Sequence, residues 1–163
     1  VVEYGLKGAA DLMVNDITNK FFTEAEKATL SVTYTADALY DAVVDAIAKL
    51  NLEDESGVFV AIGNDMKAAI RKDADFKTCN VGEIIHSGQI GTISGVPVVC
   101  SKACPAGKMY VMTKDAITLF RKRDVTVEQS RDITTRTNTV VMRMVGVVAL
   151  TDNTKICKMS AAG

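Results

Sequence analysis

The sequence has 163 residues, of which 48% are hydrophobic and 24% charged, with a formal net charge of -1. A chain of that length suits one domain or two small joined ones and buries roughly 70% of its unfolded surface, so it folds without staples. The near-neutral charge lacks the basic excess of a phosphate-neutralising nucleic-acid binder, no apolar run reaches the ~18 residues of a membrane span, and no signal-peptide pattern is present.

Leu6, Ala10, Met13, Ile17 and Phe21 recur at helical spacing and predict an amphipathic helix over about 3–27, with Asn15 and Asn19 as points that could bend it. The chain starts at Val1 and enters that periodicity at once, which reads as a piece of a longer product. A β-prone stretch, 29–34, precedes a second helix with Thr35 as the expected N-cap and Leu39, Val43, Ile47 and Leu50 on one face. Asp37, Asp41 and Asp45 lie on its opposite side, and Asp45 is placed to pair with Lys49. After a charged turn, 51–57, the apolar run 58–62 between Gly57 and Gly63 predicts a buried strand, and Asn64 or Asp65 caps a short helix through Met66, Ala69 and Ile70.

The polar segment 73–89 has little periodicity and exceeds the ~12–15 residues usual for a plain connection, which marks it as functional or poorly ordered. Ser94-Gly95 predicts a hairpin turn between strands 90–93 and 96–100. A short strand follows at 109–112, and Thr113 is read as capping a helix with Ala116, Ile117 and Phe120. Val125 and Val127 then alternate with polar residues as a half-buried strand, 138–150 reads as one long strand, Asp152-Asn153 as a turn and 155–159 as a closing strand. The mixture without regular βαβ alternation is α+β.

Two lengths bear on shape. A 25-residue helix spans about 37 Å. The strand over 138–150 spans about 40 Å, against a diameter of about 40 Å for a compact domain of this size. Both elements cross the whole domain, so the protein is expected to be elongated. Such platforms suit lattice-forming subunits.

No motif supports chemistry. His86 is the only histidine and lies seven residues from Cys79 without a nucleophile motif around either. Cys79, Cys100, Cys104 and Cys157 lack the paired CxxC spacing of a zinc site and read as reduced thiols; the CxxxC of Cys100 and Cys104 gives only two thiolates. Ala106-Gly107-Lys108 lacks both the upstream glycine and the following Ser or Thr of a phosphate loop, and 58–65 has no GxGxxG, leaving an ordinary strand-turn-helix. Arg121-Lys122-Arg123, with Arg131 and Arg136, reads as cations at a helix C-terminus followed by surface strands, or as a basic face toward nucleic acid or an acidic neighbouring subunit. No cofactor or metal is expected.

From Val58 onward the order of features resembles the major capsid proteins of tailed bacteriophages with the Hong Kong 97-type fold. The carrying residues are Tyr40-Asp41-Ala42 and Leu50, the run 58–62, Gly91-Thr92-Ile93-Ser94-Gly95-Val96-Pro97-Val98-Val99, Ser101-Lys102-Ala103, Ala106-Gly107, Thr113-Lys114-Asp115-Ala116, and Val125-Thr126-Val127-Glu128 before Arg131-Asp132 and the long strand. The resemblance implies an apical domain, 31–122 with 152–163 returning to it, and an elongated peripheral domain, 1–30 and 123–151, holding a spine helix and long antiparallel strands. It also implies a fragment without the family's N-terminal arm and extended loop.

The implied function is a structural capsid subunit, not an enzyme, that self-assembles into hexamers and pentamers of an icosahedral shell around DNA. Its partners would be copies of itself, scaffolding and portal proteins, and weakly held packaged DNA, with no membrane. Its place would be the virion, assembled in the bacterial host cytoplasm. The subunit-contact candidates are Asp73, Asp75, Phe76, His86 and Gln89 in the loop and Arg121, Arg123, Arg131 and Arg136 in the basic region. The alternatives are an encapsulin-like nanocompartment shell protein and a small cytosolic nucleotide-binding enzyme using the Gly63 turn.

Overall fold

A computed structural model describes residues 2–36, 38–72, 91–135 and 137–162. Helix α1 (Val2–Ala25) leads into strand β1 (Leu30–Tyr34) and helix α2 (Leu39–Leu50). Strand β2 (Val58–Ile62) is followed by α3 (Asn64–Lys72), then β3 (Thr92–Ile93), β4 (Val96–Cys100) and β5 (Lys108–Thr113). Two long strands, β6 (Ile117–Asp132) and β7 (Thr137–Leu150), precede a 3-10 turn at Asn153–Lys155 and the last strand, β8 (Ile156–Ala161).

Six strands form one sheet in the order β1-β8-β5-β2-β4-β3, while among the described residues β6 and β7 pair only with each other. The six-stranded sheet is apolar on both faces because β2 is apolar at every position and β5 from Met109 to Met112, and alternation divides these residues between two cores. Val58, Val60 and Ile62 with Met109, Val111, Cys157 and Met159 face α2 and α3. Ala61, Tyr110, Met112 and Ile156 turn the other way and meet Phe22, Ala25 and Ala28 at the end of α1. Helices thus cover both faces, and each fully buried Leu, Ile, Phe or Met side chain contributes about 1.5–3 kcal/mol.

Helix α2 carries Leu39, Val43, Ala46, Ile47 and Leu50 inward and stops at Asn51, which adopts φ 47° and donates its N–H to the Ala48 carbonyl. Asn tolerates that left-handed conformation better than most residues. Thr35 is not the cap: Ala38 occupies that position without a side-chain hydrogen bond. Lys49 does not pair with Asp45 and instead donates to the Ser31 carbonyl at 2.7 Å, tying α2 to β1. At the β3–β4 turn Ser94 and Gly95 have φ of 51° and 78°, the left-handed pair that a two-residue hairpin requires.

The largest departure from expectation lies at 113–120. No helix forms there; Ile117 begins a 16-residue strand. The buried Ala116 turns the chain, its carbonyl accepting N–H groups from Thr151 and Asp152, and Ile117 then pairs with Leu150. The Thr113 hydroxyl caps nothing and is buried with no partner among the described residues.

Candidate assembly surface

The β6–β7 ribbon is built from residues that suit strands and from very little that hides them. Every β6 residue from Leu119 to Asp132 is exposed. On β7, Val140, Met142, Met144 and Val148 are half-buried or buried and alternate with exposed Val141, Arg143, Val145 and Val147. Helix α1 packs along β7, so one ribbon face has a helical support and the other faces outward. A lone two-stranded ribbon is marginal in water, and this one spans about 50 Å at ~3.3 Å per residue.

Register identifies the outward face. Phe120 pairs with Val147, Arg123 with Val145, Thr126 with Arg143 and Glu128 with Val141. Phe120 is 52% exposed and Val147 58%. Cross-strand neighbours of this kind form an apolar spot, extended by Val145 and bounded by Arg143, and such spots mark interaction sites.

Two single-residue shifts of β6 against β7 fall between Arg121 and Arg123 and between Arg123 and Thr126. Bulges of this kind bend and twist a ribbon and leave extra residues unpaired. The basic run therefore sits on the bulges, not at a helix end. Gly146 lies opposite Arg121, where a side chain would come within 2.9 Å of the Phe120 carbonyl oxygen, so the strands approach closely only because the residue is glycine.

The predicted contact residues are dispersed by this geometry. Arg121 shares a face with Gly146 and pairs with Asp124 at 3.1 Å, while the bulge puts Arg123 on the opposite face beside Val145. Arg131, opposite Asn138, lies eight residues further along, about 26 Å from Arg123. Asp73, Asp75, Phe76, His86, Gln89 and Arg136 lie outside the described residues, as do Cys79 and Asp37. A helix over 113–120 gives Phe120 a buried face, and Val147 in a long apolar strand reads as core, so neither stands out from sequence; the adjacent Thr118-Leu119-Phe120 and the later Val-Thr-Val alternation are the available strand signal.

Among the described residues, the groups with potential for chemistry have structural partners. Gly107 N–H donates to Asp65 Oδ2 at 2.6 Å, and Lys108 Nζ donates to Glu26 Oε1 at 2.7 Å, so the loop that faintly resembles a phosphate cradle is filled by the chain's own carboxylates. The Gly107 hydrogen bond, foremost, holds the Asp65 carboxyl below its usual range. A side chain on Gly63 would meet Asp65 Oδ1 at 2.5 Å, which places a negative charge where a nucleotide phosphate would have to sit. Burial, reinforced by the Asp65 charge, pushes the Cys104 thiol up to about 12, and Cys100 donates to Asn64 Oδ1 at 3.1 Å. Among the described residues no group of three metal-ligating side chains occurs.

A cluster at the end of α1 fastens the ribbon's supporting helix to the sheet. Glu26 accepts from Lys108 and from the buried Tyr110 hydroxyl, and Lys158 Nζ donates to the Glu26 carbonyl at 3.3 Å. Burial pushes the Glu26 carboxyl up, but the Lys108 and Tyr110 hydrogen bonds and the Lys108 and Lys158 charges outweigh it and hold it below the usual range. Glu24 Oε2 accepts the Leu150 N–H at 3.4 Å, joining α1 to the end of β7.

The model of the phage capsid family matches residues 6–153. A solved chain of Mycobacterium phage Che8 superposes with a TM-score of 0.82 at 17% identity, over 98% of this chain and 63% of that one. A capsid structure of the cyanophage P-SCSP1u gives 0.81 at 12% identity, over 99% and 66%. The holo-SrpI encapsulin complex from Synechococcus elongatus gives 0.64 at 12% identity, over 98% and 65%. The chain thus spans just under two thirds of these solved chains. No curated protein matches the sequence.

Proposed function

The chain belongs to the phage capsid family and has the Hong Kong 97-type α+β fold, and on that premise we propose that it is a structural subunit of a phage or prophage shell. Copies of it associate without covalent bonds into hexamers and pentamers that close an icosahedral shell around DNA. It serves in the virion after assembly in the bacterial host cytoplasm, with scaffolding and portal proteins as further partners, and catalyses no reaction. The observation that carries this reading is the β6–β7 ribbon, exposed along 14 consecutive residues of β6 and joined to no other strand among the described residues. Helix α1 supports one face of that strand pair, and the open face is suited to cover by neighbouring copies. Modest pairwise energies suffice when each subunit touches several others.

The domain assignment follows the same reading: 31–122 with 152–163 as the apical part, 1–30 and 123–151 as the peripheral part. It is supported by β8 lying between β1 and β5 and by the bulges at the 122/123 boundary. An encapsulin-like compartment shell is the second reading, favoured by the 0.64 superposition with the Synechococcus complex and weakened by the higher scores with the phage chains. The nucleotide-binding alternative is opposed by Asp65 at the Gly63 turn. Expression of the complete gene product followed by negative-stain electron microscopy tests the proposal. Closed particles are expected, and small monodisperse monomers across salt and concentration would refute it.

A further inference from the structure

Two charged features lie at opposite ends of the six-stranded sheet. At the C-terminal ends of the parallel strands β2 and β4, a groove of about 360 Å³ is lined by Asn15, Thr18 and Asn19 of α1 and by Ser101, Lys102 and Ala103. Among the described residues Lys102 is the one charged residue lining it, and neither its ammonium nor the Asn15 and Asn19 side-chain amides has a partner there. Ser101 Oγ accepts from Ala103 N–H, so its own proton is free to be donated. The groove therefore presents donors and one positive charge, a set that suits a carboxylate.

At the N-terminal end of β2 stands the turn with Glu53, Asp54 and Glu55, the only run of three adjacent acids in the sequence. All three are exposed. Asp54 folds the turn by accepting from Ser56 N–H at 2.9 Å and Ser56 Oγ at 2.8 Å, while the Glu53 and Glu55 carboxylates have no partner among the described residues. The turn also follows the C-terminus of α2, whose dipole adds to the negative potential there.

We propose that the acidic turn of one copy docks in the Lys102 groove of the next. The inference rests on the shell-subunit reading and names one of its contacts. The five-residue β2 separates the two features by about 17 Å. Being at opposite ends of one rigid sheet they cannot meet within a chain, so the complementarity is satisfied only between copies, head to tail. A heterologous contact of that kind closes into rings when its rotation allows, as a capsomer requires.

A carbodiimide, which joins a lysine amine to a touching carboxylate as an amide and itself takes up the water to leave as a urea, tests this on a mixture of ¹⁴N- and ¹⁵N-labelled copies of the complete gene product. Mixed-isotope peptides joining Lys102 to Glu53 or Glu55 are expected. Lys102→Glu should weaken self-association in sedimentation velocity about three- to tenfold at low salt, and combining it with Glu53→Lys and Glu55→Lys should restore it. Raising ionic strength should weaken the wild type in the same way. Self-association with no mixed-isotope link at Lys102, or of equal strength in Lys102→Glu, would overturn the contact and leave self-assembly standing. A wild type monomeric at every concentration and salt would overturn both.

Discussion

Replacing Tyr110 by Phe removes one oxygen from the cluster that fastens α1 to the sheet. Tyr110 is 0% exposed and its hydroxyl donates to Glu26, while its ring packs 5.7 Å from that of Phe22. The ring stays in the variant, so the loss is confined to a hydrogen bond to a charged acceptor, about 1.5–3 kcal/mol. Burial, then the Glu26 hydrogen bond, push the Tyr110 hydroxyl up, so it remains a donor throughout the accessible pH range. With an m-value of about 2 kcal/mol/M in urea, a loss near 2 kcal/mol moves the unfolding midpoint by about 1 M with m unchanged. Glu26→Gln removes the charge, and in that background Tyr110→Phe should cost about 1 kcal/mol or less, the ordinary neutral hydrogen bond. The pH dependence has a definite sign. Because the Glu26 carboxyl is held below its ordinary 4.5, its contribution is complete above that value and lost as pH falls through the lower folded value. The wild-type advantage over Tyr110→Phe should shrink in the same acid window. A midpoint shift below about 0.2 M, or an undiminished effect in the Glu26→Gln background, would refute the reasoning.

Other residues give independent tests. Phe120→Asp should leave urea stability within about 0.5 kcal/mol, since the ring is half exposed, yet prevent the complete gene product from forming particles under the electron microscope. Gly146→Val should destabilise the ribbon by about 1–3 kcal/mol through collision with the Phe120 carbonyl, read as faster hydrogen exchange at Phe120–Arg123. Thr113→Val should raise stability by about 1 kcal/mol in urea, because it replaces an unpartnered buried hydroxyl with a methyl group. Mass-mapped alkylation of the native protein at pH 8 should modify the exposed Cys100, leaving Cys104, with its thiol pushed up to about 12, and the buried Cys157 to react only on unfolding.

Much of the fold is legible in local pattern. The 3.6-residue spacing of Leu6 to Phe21 yields α1, the apolar run 58–62 yields β2 with the same bounds, and Ser94-Gly95 yields the hairpin turn. The 113–120 segment defeats local reading because Thr113, Ala116, Ile117 and Phe120 fit helical spacing, while the pairing that overrides it comes from β7, some 30 residues away. The same override relocates Arg121-Lys122-Arg123 from a helix end to two bulges, whose one-residue shifts place neighbouring arginines on opposite faces. Local sequence carries the propensity of each strand but not its register, and register decides which side chains share a surface. The exposure of Phe120 and Val147 is equally illegible, since apolar residues in a strand signal burial whether the covering partner is the same chain or another.

The central claim, that the open ribbon is a surface between copies, is tested most directly by a cryo-electron microscopy reconstruction of particles formed by the complete gene product. Neighbouring subunits are predicted to cover the outward ribbon face at Phe120, Val145 and Val147. A closed shell that leaves this face in solvent would contradict the claim.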